Sequence, residues 1–220
     1  MIEHTVAGER LVMLPEKALF WRDAMTLFIA DFHLGKAAAF RSAGIPMPPG
    51  TTTDNMDRLD SAIEKTGAER VVFLGDFLHA EAGRAEKTTA QFAEWRDKHY
   101  EVALVLVRGN HDDHAGDPPP DWRISCMDEG CKLGPFFAAH VPRRRAGGYV
   151  LAGHIHPAVR LRGTDDAMNL PCFWFGRDVG VLPAFGAFTG SAVVRPQRGD
   201  HIFVVADGAV MPVGGKPGKT

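Results

Sequence analysis

At 220 residues and 45% hydrophobic content, the chain can bury a large core in one domain, or two at most. Charged residues make up 24% of it, with both signs interspersed and a formal net charge of −2. That balance excludes a nucleic-acid coat, so any nucleic acid would have to meet a local basic patch. Met1 to Arg10 lacks the basic start and apolar stretch of a signal peptide, and no uncharged apolar run reaches the ~18 residues of a membrane span. The expected compartment is the cytoplasm. Cys126, Cys131 and Cys172 fit no zinc-ribbon or C-x-x-C spacing and read as reduced structural thiols.

In chain order, three apolar runs each end in polar, chemistry-bearing residues. Thr26 to Ala30 precedes Asp31, Arg70 to Leu74 precedes Gly75-Asp76, and Val102 to Val107 precedes Arg108-Gly109-Asn110-His111. Each predicts a buried strand. A helix is predicted over Thr53 to Thr66, with Met56, Leu59 and Ile63 on one face, caps from Thr51 to Thr53, and Gly67 as terminator. A second is predicted over Arg84 to His99, where Ala85, Thr88, Phe92 and Trp95 recur at helical spacing. This alternation implies a largely parallel sheet whose strand ends share one edge, where ligands bind. Beyond the Asp117-to-Pro120 loop, short apolar stretches at Phe136 to His140, Tyr149 to Ala152, Ala158 to Leu161, Cys172 to Phe175, Val193 to Arg195 and Ile202 to Val205 predict hairpins of a second sheet. Residues 1–213 are expected to form a single domain, and Gly214 to Thr220 a disordered tail.

Five stretches carry the chemistry: Asp31-Phe32-His33-Leu34-Gly35, Gly75-Asp76, Gly109-Asn110-His111-Asp112, His140, and Gly153-His154-Ile155-His156. Taken alone, each is explained by turn chemistry; three successive strands ending in metal-ligand types, followed by a His-x-His pair, are not. In extended backbone, residues i and i+2 point to the same side, which would aim Asp31 with His33, and His154 with His156, at one site. Glycines 75, 109 and 153 are expected to permit sharp turns beneath the ions, and Asp76 has two oxygens with which to bridge a pair of cations. Carboxylate, imidazole and amide oxygen together suit manganese, iron, cobalt or zinc better than magnesium.

This order of motifs, from Asp31 to Pro157, resembles the calcineurin-like metallophosphoesterase superfamily. The resemblance implies an α/β sandwich of two packed mixed β-sheets flanked by helices, and a site for two divalent metal ions. By motif, Asp31, His33 and His156 would hold the first metal, Asn110, His140 and His154 the second, and Asp76 would bridge them. His111 would be the general acid that protonates the leaving group after attack by a metal-bridging hydroxide. The superfamily's lone histidine is often followed by glycine, whereas Val141-Pro142 follows His140 here. Asp112 either orients the His111 imidazole or forms a turn.

Several further stretches resemble the bacterial ligase-associated DNA damage response phosphoesterase, a manganese-dependent family. They are Asp31 to Lys36, Gly44 to Thr51, Gly75-Asp76-Phe77-Leu78-His79, Gly153 to Pro157, and Leu182 to Gly186 with Thr189-Gly190. That resemblance implies phosphodiesterase or endonuclease activity on DNA in repair, with a DNA ligase and a helicase as functional associates. Oligomerisation through a sheet edge is compatible with the sequence. A pyrophosphatase acting on nucleotide-linked lipids is the rival enzyme, disfavoured because that family has arginine where His111 stands; a scaffold without catalysis is the non-enzyme alternative. His79 reads as a partner behind the ligands or as a polar loop residue. Arg108 binds phosphate or pairs on the surface, and Lys36 and Arg41 share that ambiguity. Arg143-Arg144-Arg145 grips a phosphate backbone or forms a solvated face, and Phe173-Trp174-Phe175 stacks bases or packs the core.

Overall fold

The computed structural model describes residues 1–48, 50–80, 85–128, 130–162 and 167–213. Within them the chain forms two mixed β-sheets with flanking helices. The first sheet has strands β1 (Ile2–Val6), β2 (Glu9–Met13), β3 (Leu19–Trp21), β4 (Thr26–Ile29), β5 (Arg70–Leu74), β6 (Ala103–Val107) and β7 (Ile124–Met127), in that spatial order. Strands β1 to β4 form an antiparallel meander, and β4 to β7 run parallel. The meander was not expected. In β1 burial alternates along Ile2-Glu3-His4-Thr5, but the inward positions are only half-buried and one of them is His4, so the hydrophobic contrast is weak.

Helices α1 (Lys36–Ser42), α2 (Thr51–Thr66) and α3 (Glu86–Lys98) connect the parallel strands. Met56, Leu59, Ala62 and Ile63 bury one face of α2, and Gly67 ends it in the left-handed region with φ 65°. The threonines expected as caps lie instead inside its first turn. Gly50 occupies the cap position without a side-chain bond, and the Thr51 hydroxyl donates to the Pro48 carbonyl at 3.1 Å. In α3 the buried face is Thr88, Phe92 and Trp95; Arg84, where its start was expected, lies outside the described residues.

The second sheet contains β8 (Cys131–Leu133), β9 (Phe136–Ala138), β10 (Tyr149–Ala152), β11 (Pro157–Arg162), β12 (Ala167–Phe175), β13 (Val179–Val181), β14 (Ala192–Val193), β15 (His201–Ala206) and β16 (Ala209–Pro212). The stretch at Val193 to Arg195 yields only the two-residue β14, and the proline run ends in a 3-10 turn, Pro120–Trp122. Residues 214–220, expected as a tail, lie outside the described residues.

Strand β5 shows how the layers stack. Val71 and Phe73 join a core shared with Met56, Leu59, Phe92 and Trp95 of the helices. Val72 and Leu74 join a core shared with Phe136, Leu151, Phe173, Phe175 and Phe203 of the second sheet. Because both faces of β5 are covered, it reads as a continuous apolar run. Parallel pairing of β4, β5 and β6 brings their carboxyl ends to one edge, and β9 and β10, also parallel, deliver His140 and His154 there. The sheets are stitched at this edge, where Phe185 N–H donates to the Ala30 carbonyl at 2.8 Å and Gly186 N–H to the Asp31 carbonyl at 3.0 Å.

Candidate metal centre

The backbone at this edge is strained in a concentrated way. Asp31, His33, Asp76, His154 and His156 all have positive φ, at 53°, 50°, 50°, 72° and 49°. Each such non-glycine residue costs on the order of 1 kcal/mol, and such strain persists where surrounding structure over-determines it. The pairs Asp31/His33 and His154/His156 are therefore not extended, as the i, i+2 argument had it. Left-handed turns aim them inward instead. Those turns are held by bonds between loops: Asp31 N–H to the Gly75 carbonyl (3.3 Å), His33 N–H to Asp76 (2.9 Å) and Leu34 N–H to Phe77 (2.7 Å). His154 N–H points at both Asp31 carboxylate oxygens, at 3.0 and 3.1 Å.

The glycines work by two routes. Gly75 needs its φ of 81°, and a Cβ there would also overlap the His140 imidazole. Gly109, with φ −106°, needs no special conformation; nor does Gly153, which is not among the positive-φ residues. They need space, since a Cβ at Gly153 would lie 2.6 Å from Asp31 Oδ2, and one at Gly109 2.5 Å from the Asp76 backbone nitrogen.

Three groups of donors result among the described residues; one, His33, His79 and His111, shares His33 with another and contains no carboxylate, and the remaining two are the clusters of interest. One is Asp31, His33 and His156, the other Asp76, His140 and His154; within each, one ligand atom per residue lies within 4.8 Å of the others. Asp31, His33, Asp76 and His140 are buried. His140 Nδ1–H donates to the Leu74 carbonyl at 3.0 Å, which leaves Nε2 with its lone pair. That lone pair faces His154 Nδ1 at 2.9 Å, Asn110 Oδ1 at 3.1 Å and Asp76 Oδ1 at 3.4 Å. In the first cluster His156 Nδ1–H donates to the Gly190 carbonyl at 3.0 Å, presenting Nε2 to Asp31 Oδ1 at 3.6 Å. His33 Nδ1 is buried with no partner. Carboxylate, imidazole and amide donors converging this closely fit a cation in each cluster.

The electrostatics follow from burial. His33 is pushed down to about 2, first by burial and then by the charges of Lys36 and the neighbouring histidines. A neutral imidazole is the form that binds metal. Burial also works against protonated His156, but its bond to Asp31 and that carboxylate's charge prevail and raise it.

The family model for calcineurin-like phosphoesterases matches residues 25–182, which include every one of these side chains. The chain belongs to the calcineurin-like phosphoesterase family. It is a metal-dependent phosphoester hydrolase. Among solved structures it is similar to the Pseudomonas putida nuclease MPE, with 38% identity, 96% of this chain and 99% of that chain covered, and a TM-score of 0.86. The phosphoesterase Yfce from E. coli is 16% identical over 86% of this chain and 97% of that chain, at a TM-score of 0.42. No curated protein matches.

Around the clusters, the structure decides between alternatives that the sequence left open for Asp112 and Arg108. Asp112 does not orient His111; its carboxylate accepts from Leu78 N–H (2.8 Å), Gly109 N–H (2.9 Å) and Phe77 N–H (3.2 Å), clamping two loops. Burial raises its pKa against those three bonds. His111 is instead oriented by its Nδ1–H bond to the His79 carbonyl at 2.8 Å, and its ring stands 5.0 Å from both His79 and His33. His79 Nδ1 is buried and unpartnered, and burial brings this side chain down to about 4. Arg108 pairs with Asp117 at 2.8 Å and with Asp128, so two carboxylates occupy its guanidinium.

Beside the second cluster lies a cleft of 550 Å³ lined by Asn110, His140, His154 and Arg143 to Arg145. Arg144 binds Asp178 at 3.0 Å and Arg145 caps the Phe137 ring, whereas Arg143 is exposed without a side-chain partner among the described residues. Phe173 and Phe175 pack the core between the sheets, and Trp174 faces the other way.

Proposed function

We propose that this phosphoesterase is a two-metal nuclease that hydrolyses phosphodiester bonds in DNA. Asp31, His33 and His156 would hold one cation, Asn110, His140 and His154 the other, and Asp76 would bridge them. The observation that carries the reading is the convergence on His140 Nε2 of His154 Nδ1, Asn110 Oδ1 and Asp76 Oδ1, where one His154 proton could serve a single contact and leave the two oxygens facing a lone pair. With oxygen and nitrogen donors and no thiolate, the set suits manganese, with iron, cobalt or zinc as alternatives. The Pseudomonas putida neighbour's being a nuclease supports a nucleic-acid substrate.

Cations bound there would withdraw charge from the phosphoryl oxygens and activate the attacking water. The chain's own residues do the rest. Asp112 and the inter-loop bonds hold the ligand loops before substrate arrives, which avoids reorganisation during the reaction. His111, with Nδ1 committed to the His79 carbonyl, keeps Nε2 as the atom that passes a proton to the leaving alkoxide. Arg143 is free to meet a substrate phosphate at the cleft beside the second cluster.

Manganese-dependent hydrolysis of bis-p-nitrophenyl phosphate and of single-stranded DNA, abolished in Asp76→Ala together with metal binding, is the expected result. Undiminished turnover in Asp76→Ala would overturn the assignment.

A further inference from the structure

A second cleft, of 210 Å³ and not lined by Arg143, opens beside His156. It is lined by Lys17, Asn169, Pro171, Gly186, Phe188 and Gly190, among others. Its volume is below the 300–1,000 Å³ range common for drug-sized ligands, so it suits a fragment rather than an extended molecule.

Phe188 is unusual in two independent ways. The residue is 53% exposed, although nine other phenylalanines among the described residues are buried almost completely, including Phe185 three residues earlier. Its backbone has φ 56°, which glycine would adopt without strain. The loop that carries it is anchored at both ends. Phe185 and Gly186 N–H groups bind the Ala30 and Asp31 carbonyls, while the Gly190 carbonyl accepts from His156 and Ala192 N–H donates to the His156 carbonyl at 3.0 Å. A costly conformation on a pinned loop thus presents a bare aromatic face beside a candidate metal ligand.

Lys17 supplies the complementary chemistry. It too has positive φ, 64°, and is only half exposed; its ammonium makes no hydrogen bond or ion pair among the described residues. Burial and the charge of Arg58 push it down to about 8, as expected for a cation enclosed without a counter-ion. An anion in the cleft would relieve that.

We infer that the cleft of Lys17, Asn169 and Phe188 is a subsite for the nucleotide next to the scissile phosphate, its base stacked on Phe188 and its phosphate held by Lys17. This rests on the nuclease reading. The ring can be reached only by a base free of its own stack, so the subsite favours unpaired over duplex strand.

The test is binding of fluorescein-labelled dodecathymidylate to the full chain in EDTA, followed by cleavage kinetics under manganese. Phe188→Ala and Phe188→Gly should each weaken binding about tenfold, with Phe188→Trp restoring it. Lys17→Met should lower the slope of log Kd against log salt by about 0.7, one phosphate contact on a single strand. Competition by thymidine monophosphate at comparable affinity would identify a free nucleotide as sufficient. If the wild-type protein cuts DNA while all these variants bind as it does, the subsite is wrong and the nuclease reading stands. If the wild-type protein hydrolyses bis-p-nitrophenyl phosphate yet neither binds nor cuts DNA, both the nucleic-acid reading and the subsite fall.

Discussion

At the residue scale, the site is shaped as much by atoms that are absent as by those present. Gly153→Ala would place a methyl group 2.6 Å from Asp31 Oδ2, well inside van der Waals contact, so the carboxylate has to move. We expect this variant to fold but to bind manganese at least tenfold more weakly, measured by isothermal titration. Asp112 makes a different kind of contribution, because three backbone N–H donors depend on its two oxygens. Asp112→Ala leaves buried donors without acceptors, at about 1–3 kcal/mol for each group left unsatisfied, and should lower Tm measurably even without metal. His111→Ala should spare metal stoichiometry and slow a substrate with a poor leaving group more than one with a good one. Equal losses for both would exclude its role as the acid.

At the element scale, the loops converge because neighbouring elements are tied at a distance from the site. The turn between β2 and β3 is tied to α2 by Glu16, which is buried, pairs with Lys65 and accepts from Ser61 Oγ at 3.2 Å. Burial works to raise the Glu16 pKa, but the Lys65 bond and charge, with Ser61 and a backbone bond, outweigh it and the pKa is lowered. A lowered carboxyl stabilises the fold above its ordinary unfolded value and loses that contribution as pH falls through the lowered one. Glu16→Gln should therefore flatten the acid limb of the stability curve, seen by urea unfolding at neutral and acidic pH.

For the whole molecule, two sheets converge on one edge and hold five residues in left-handed backbone there. If the clusters take up metal, such strain and the converging carboxylates and imidazoles should make the metal-free fold the less stable form. Excess manganese at about 100 times its Kd should add about 2.7 kcal/mol, so chelation should lower Tm by roughly 5–10 °C. Calorimetry with and without EDTA checks this, and an unchanged Tm would mean that the clusters do not take up metal.

Much of this was legible in the amino-acid order. The apolar runs before Asp31, Asp76 and Asn110 are local signals, and each forms a strand that pairs in parallel with the next. The ligand types follow those strands directly, so the residues that meet at the edge could be named from spacing and motif. Other features depended on partners distant in sequence. That Asp31 and His33 turn left-handed depends on the carbonyls of Gly75 and Asp76, and that Asp112 clamps loops depends on Phe77 and Leu78. Arg108 could not be separated from Arg143 until Asp117 and Asp128 were seen to occupy the first. Phe188 and Lys17 carry no motif, and only the folded chain sets them beside His156. Periodicity and residue type are local and survive in the sequence; hydrogen-bond partners, backbone strain and exposure are properties of the packed chain.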